Sequence, residues 1–183
     1  MATHFDLKSI LRESVHEYLF VADYCVQFQK DSAWPQREVG GCLGYPAAVM
    51  LFSIVDTIGS FHQGDASLNL VIDGKSRDIR NEGFQHFFIL NSDYYGQSLE
   101  EAAIKKLYDN FRNLLVHNAS LAPSNFLIKD PGSAEPFPQS ASRRKVNVSA
   151  FLDISRGAVQ KFLTRVDQVI PNSPQAAKIA LKR

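Results

Sequence analysis

Arg112 and His117 bracket the hexapeptide Arg-Asn-Leu-Leu-Val-His, and their side chains together have the chemistry to cut RNA. Cleavage by the RNA's own 2′-hydroxyl needs a base to take that proton and an acid to protonate the departing 5′-oxygen. Imidazole titrates close enough to neutrality to do either. A guanidinium stabilises the charge that builds on the phosphoryl oxygens, through paired hydrogen bonds. That chemistry requires no metal, and the sequence carries neither a His-Glu-x-x-His pattern nor an acidic cluster of the kind that holds one. At ~100° per helical residue Arg112 and His117 lie ~140° apart, whereas Asn113 and His117 are one turn apart. Asn113 is therefore placed to orient His117 or to reach substrate. Tyr108, one turn before Arg112, is placed to line the same cleft.

These residues fall in the last turns of a helix with a clear start. Ser98-Leu-Glu-Glu101 fits a capping box, and Ile104, Leu107, Tyr108, Phe111, Leu114 and Leu115 form a buried stripe. The helix is expected to end near His117–Ser120, ahead of Pro123. Asp109 is spaced to pair with Arg112 or Asn113. A second helix, opening at Pro46 and running through Met50, Ile54, Ile58 and Phe61, is nearly all apolar and belongs at the centre of the molecule. Asp56 and Ser60 interrupt it one turn apart. A carboxylate buried there needs a partner, with Arg112 and His117 as candidates, and would tune the site. A capped or loop-facing structural role is the alternative.

The remaining elements follow from periodicity. A first helix spans roughly Phe5 to Gln29, with Thr3 or Asp6 as cap and a stripe from Leu7 to Cys25. Trp34, Pro35 and the Gly40-Gly41 pair make a loop. Between Ser67 and Ile79 Leu68, Leu70 and Ile72 alternate before Asp73-Gly74, which predicts a short hairpin or extended loop. Phe84 to Leu90 reads as a short helix and Asn91 to Gln97 as a turn. Residues 130–144 hold three prolines and are expected to form a mobile loop. A last main helix runs from Ser149 to about Ile170, where Pro171 stops it. The fold class is thus all-α, a four- to five-helix bundle with a small extended or hairpin insertion after the second helix. Residues 1–170 are expected to form one domain, and 171–183 a tail that is a short helix from Ser173-Pro174 or disordered.

The Arg-x4–6-His spacing, the polar Asn113 directly after the arginine, and the placement late in a long helix resemble the HEPN family, a group of all-α nucleases and nucleotide-binding proteins. The same spacing recurs at Arg80–His86, but Gly83 interrupts any helix there, so context selects Arg112–His117. One histidine cannot flank both sides of a phosphate. The resemblance implies a two-fold homodimer that joins two copies of the motif in one cleft, and a product ending in a 2′,3′-cyclic phosphate. It implies a metal-independent endoribonuclease without cofactor, with Arg112, Asn113 and His117 catalytic; Tyr108 and Asp56, from their own positions, are expected to contact substrate. RNA and an antitoxin or regulatory protein are its expected partners, in a toxin–antitoxin or antiviral defence setting. Some HEPN toxins carry a tyrosine two residues after the motif histidine. Ala119 stands there instead, which separates this chain from that subgroup.

Composition limits the alternatives. Hydrophobic residues make up 45% and charged residues 21%, enough to build a core and too apolar for disorder over most of the length. A net charge of +1 gives no global attraction to nucleic acid, so RNA contact must rest on a local cluster such as Arg143-Arg144-Lys145. Cys25 and Cys42 lack metal-type spacing and suit a reducing compartment. No run of 18 apolar residues occurs, so a cytoplasmic protein without a membrane partner is expected. His16, His62 and His86 have no partner identifiable from sequence. The structural alternative is that Arg112 and His117 simply favour the negative end of a helix dipole. The chain would then be a non-catalytic helical module binding a nucleotide or a partner protein.

Overall fold

The computed structural model describes residues 7–31, 41–80, 83–138 and 144–180. The expected caps Thr3 and Asp6, the loop residues Trp34, Pro35 and Gly40, and Arg143 lie outside them. The fold is mainly helical. Helix α1 (Leu7–Gln27) is followed by α2 (Gly44–Phe61), and a tight hairpin pairs β1 (Val71–Ile72) with β2 (Lys75–Ser76). Asp73 and Gly74 both take positive φ, 52° and 71°, the conformation of the turn their sequence predicts.

A 3-10 helix (Gly83–Asn91) leads to a rod in three parts: α3 (Glu101–Leu107), a π-helical segment (Tyr108–Asn113) and α4 (Leu114–Asn118). The rod ends at Ala119, whose φ of 50° is a left-handed cap, where the sequence placed its end. Then β3 (Asn125–Ile128) pairs in parallel with β4 (Arg144–Asn147), and α5 (Val148–Asn172) and α6 (Pro174–Ala180) complete the described chain.

Helix α2 is the core helix. Ala47, Ala48, Leu51, Phe52, Ile54, Val55 and Ile58 are fully buried, and it packs on α1, α5 and the 3-10 helix. Its length and hydropathy would suit a membrane span, but 56% of it is buried inside the protein. Phe52 joins three elements, with ring centroids 5.7 Å from Phe87, 6.2 Å from Phe111 and 5.0 Å from Phe151. Such aromatic contacts add to area burial and fix the mutual seating of the 3-10 helix, the π segment and α5. Both cysteines are buried free thiols.

Four expectations are corrected. The capping box does not form, because α3 starts at Glu101 and Ser98 makes no cap. Glu101 is engaged by Arg77 at 2.6 Å, and the Asn91 side chain holds Leu99 N and O at 2.9 and 2.7 Å, keeping that segment extended. The described part of the Pro-rich stretch is pinned. Asn147 donates to Asp130 O and Ser133 O, and Phe137 packs edge-on against Phe151 at 5.0 Å. The fold also holds a parallel strand pair that an all-α reading leaves out. Finally, Pro171 lies inside α5, one residue from its end, where it forgoes one helix hydrogen bond but has almost no helix left to break. The expected tail helix is α6, its start marked by Ser173 Oγ accepting from Ala176 N at 3.4 Å.

Candidate functional site

Asp56 is the polar interruption that α2 must satisfy, and the fold gives it two partners. Oδ2 accepts from Arg112 Nη2 at 2.7 Å, and Oδ1 faces His86 Nδ1 at 2.8 Å. The sequence reading offered Arg112 and His117 as partners. The first is correct, and His86 takes the place given to His117. Burial alone would raise the Asp56 carboxyl, but the His86 hydrogen bond and the Arg112 charge outweigh it and hold the group below its ordinary value. An ionised carboxylate only accepts, so His86 Nδ1–H is the donor of this contact, and in the neutral ring Nε2 is then the acceptor nitrogen. Among the described residues Nε2 has no hydrogen-bond partner.

Two glycines allow this juxtaposition. A Cβ on Gly59, one turn from Asp56, would stand 2.1 Å from the His86 carbonyl oxygen. The 3-10 helix therefore rests directly on the α2 backbone at the residue whose side chain reaches Asp56. Gly83 leaves the space that the Tyr108 hydroxyl fills, since a Cβ there would lie 2.3 Å from it. The Tyr108 ring meets Phe87 edge-on at 5.3 Å and carries the Arg112 guanidinium on its face at 5.4 Å.

Arg112 is thus fixed on three sides, with Asn113 Oδ1 accepting from Nη1 at 3.1 Å as the third. Asn113 orients Arg112; its expected contact with His117 is not the one that forms. Asp109 pairs with Lys105 and not with Arg112 or Asn113. The wider π turn carries Tyr108, Arg112 and Asn113 together, and such turns recur at functional sites because they re-aim side chains within a helix. Asp56, His86 and Arg112 keep 22%, 18% and 24% of their side-chain surface exposed, so the cluster opens to solvent. Guanidinium has five N–H donors, and these contacts leave some free for an anion.

His117 is exposed on α4, one and a half turns beyond Arg112. On the other side of Arg112 in the chain, Phe111 helps line a groove of about 290 Å³ with Phe137, Lys106, Arg144 and Lys145. Two members of the basic run singled out in the sequence therefore border it. Ser60, the second polar residue of α2, is satisfied locally by Thr57 O at 2.8 Å. Among the described residues no cluster of three His, Cys, Asp or Glu side chains is arranged to hold a metal ion.

Sequence reasoning missed His86. Its signal was available in Gly59, because a glycine inside an apolar helix marks a close backbone approach, here three residues after an acid that needs partners. No protein-family model, no curated protein and no solved structure matches the chain.

Proposed function

We propose that the chain is a HEPN-like, metal-independent endoribonuclease, and that Arg112, held beside Asp56, works together with His117. The observation that carries this reading is the treatment of the motif residues. Arg112 is held rigidly yet partly open by Asp56, Asn113 and Tyr108, while His117 is exposed and free to meet a phosphodiester. Burial of His117 in the core would have removed the reading. Arg112 binds the phosphoryl oxygens, His117 transfers a proton, and the 2′-hydroxyl attacks to leave a 2′,3′-cyclic phosphate. Lys106, Arg144 and Lys145 guide the backbone of the RNA. A two-fold homodimer bringing two copies of the helical unit together, a cytoplasmic setting and a protein that restrains the nuclease complete the proposal.

The test is RNA cleavage with EDTA present, comparing wild type with His117→Ala and Arg112→Ala. Loss of ~100-fold or more in both variants, with the fold and the oligomeric state retained, is the expected outcome. Equal cleavage by all three proteins would sink it. A second reading, a non-catalytic module for a nucleotide or a partner protein, draws on the same engagement of Arg112: a guanidinium neutralised by Asp56 also serves to tie α2 to the π segment. Nucleotide binding by a well-folded wild type that cuts no RNA would favour it.

A further inference from the structure

We propose that His86, oriented by Asp56, is the general base of this site, with a motif histidine, His117, as its general acid. The inference rests on the ribonuclease reading and supplies the second proton-transfer group that a single His117 cannot be. Asp56 holds the His86 imidazole on one carboxylate oxygen and the Arg112 guanidinium on the other, so base and anion-binding group stand side by side. The proton on Nδ1 is fixed by a carboxylate and the lone pair on Nε2 is open, which is how an acid–imidazole pair prepares a base. The backbone is fixed as firmly as the ring, since the His86 carbonyl lies against α2 where Gly59 has no side chain. His62, closed at both nitrogens by Asp65 and Tyr94, has no such position for a substrate.

The step balances as follows. His86 Nε2 takes the 2′-hydroxyl proton while the 2′-oxygen forms its bond to phosphorus. The bond from phosphorus to the 5′-oxygen breaks, and His117 delivers a proton to that oxygen. The products are a 2′,3′-cyclic phosphate and a 5′-hydroxyl, with the two histidines returned to their starting states by exchange with water. Arg112 holds the non-bridging oxygens throughout, and Asp56 acts as a positioning residue.

The test uses the RNA site that wild type cuts, made once with the natural 5′-oxygen and once with sulfur in that bridging position. A thiolate leaves without a proton, so the sulfur substrate no longer needs the acid but still needs the base. His86→Gln keeps an N–H for Asp56 and removes the proton acceptor, which separates chemistry from positioning. Expected are losses of ~100-fold or more for both His86→Gln and His117→Ala on the oxygen substrate, with sulfur restoring His117→Ala and leaving His86→Gln slow. Wild-type rates in His86→Gln, or its rescue by sulfur, would overturn the assignment while leaving the ribonuclease reading intact. Absence of cleavage by wild type would instead bring down that reading and the inference with it. Circular dichroism and melting of each variant identify a loss that comes from misfolding.

Discussion

Among the described residues, two histidine–aspartate pairs share the same first contact in opposite surroundings. His86 Nδ1 meets Asp56 at 2.8 Å, and His62 Nδ1 meets Asp65 at 2.8 Å. The difference lies at the other nitrogen. His62 Nε2 is closed by the Tyr94 hydroxyl at 2.8 Å, inside a packed group with Phe162, and the side chain is 4% exposed. His86 Nε2 is left open on a side chain 18% exposed, next to a guanidinium. A shared dyad is therefore no sign of function by itself. What distinguishes a site from a structural brace is an unfilled hydrogen-bonding position that solvent, and hence substrate, can reach.

The sharpest way to break this comparison is to move the 3-10 helix off α2. Gly59→Ala places a methyl group where the His86 carbonyl oxygen now is, so the 3-10 helix must shift and His86 loses Asp56. Cleavage should fall ~100-fold or more, and chemical denaturation should show a stability loss of ~2–3 kcal/mol. Wild-type cleavage in this variant would mean that the open pair is not part of the site. A smaller effect is expected when only the carboxylate is changed. Asp56→Asn should slow cleavage by ~10-fold or more, whereas Asp65→Asn should leave the rate unchanged. The reverse pattern in the same kinetic assay would exchange the roles assigned to the two pairs.

How much of this was readable in the chain depends on sequence distance. The centre of the core showed in the apolar run of α2, the hairpin in Asp73-Gly74 and the helix end near Ala119, because each is dictated by neighbouring residues. The pairing of β3 with β4 was not legible. Asn125–Ile128 shows no alternation, and its partner strand lies beyond a Pro-rich loop. The π segment leaves no mark in periodicity either, since Phe111 and Leu115 still read as an ordinary stripe. In the cluster around Asp56, Arg112, Asn113, Tyr108 and the need of Asp56 for a partner were legible, while the identity of His86 as that partner required knowing how two distant helices pack. Gly83 argued against helix around His86, yet it is the residue that admits Tyr108 and lets the 3-10 helix begin.

The closed pair offers a complementary test of stability alone. Tyr94→Phe removes the hydroxyl and leaves His62 Nε2 buried without a partner, which should cost ~1–3 kcal/mol in urea or thermal denaturation. Cleavage should be unaffected. A rate loss that matches that of Asp56→Asn would show that the two regions are coupled.

The smallest expected effect is the pH dependence of the closed pair, and its sign follows from burial. Burial pushes His62 below its ordinary value of 6.5, against the hydrogen bond and charge of Asp65, while Arg165 lowers it and Asp93 raises it further out. The Tyr94 hydroxyl completes the surroundings of the ring. A histidine depressed in the folded state takes its proton more readily once unfolded, so stability is whole above 6.5 and drains as pH falls through the folded value. Asp56 and Asp65 are themselves held below 3.8, so their contributions are lost only at lower pH, and the two windows separate. Denaturation midpoints taken from pH 7.5 down to about 5 should therefore fall more steeply for wild type than for His62→Gln. Parallel slopes would mean that the buried ring keeps its proton as easily as a free one, which the Tyr94 contact and the apolar packing of Phe162 make unfavourable.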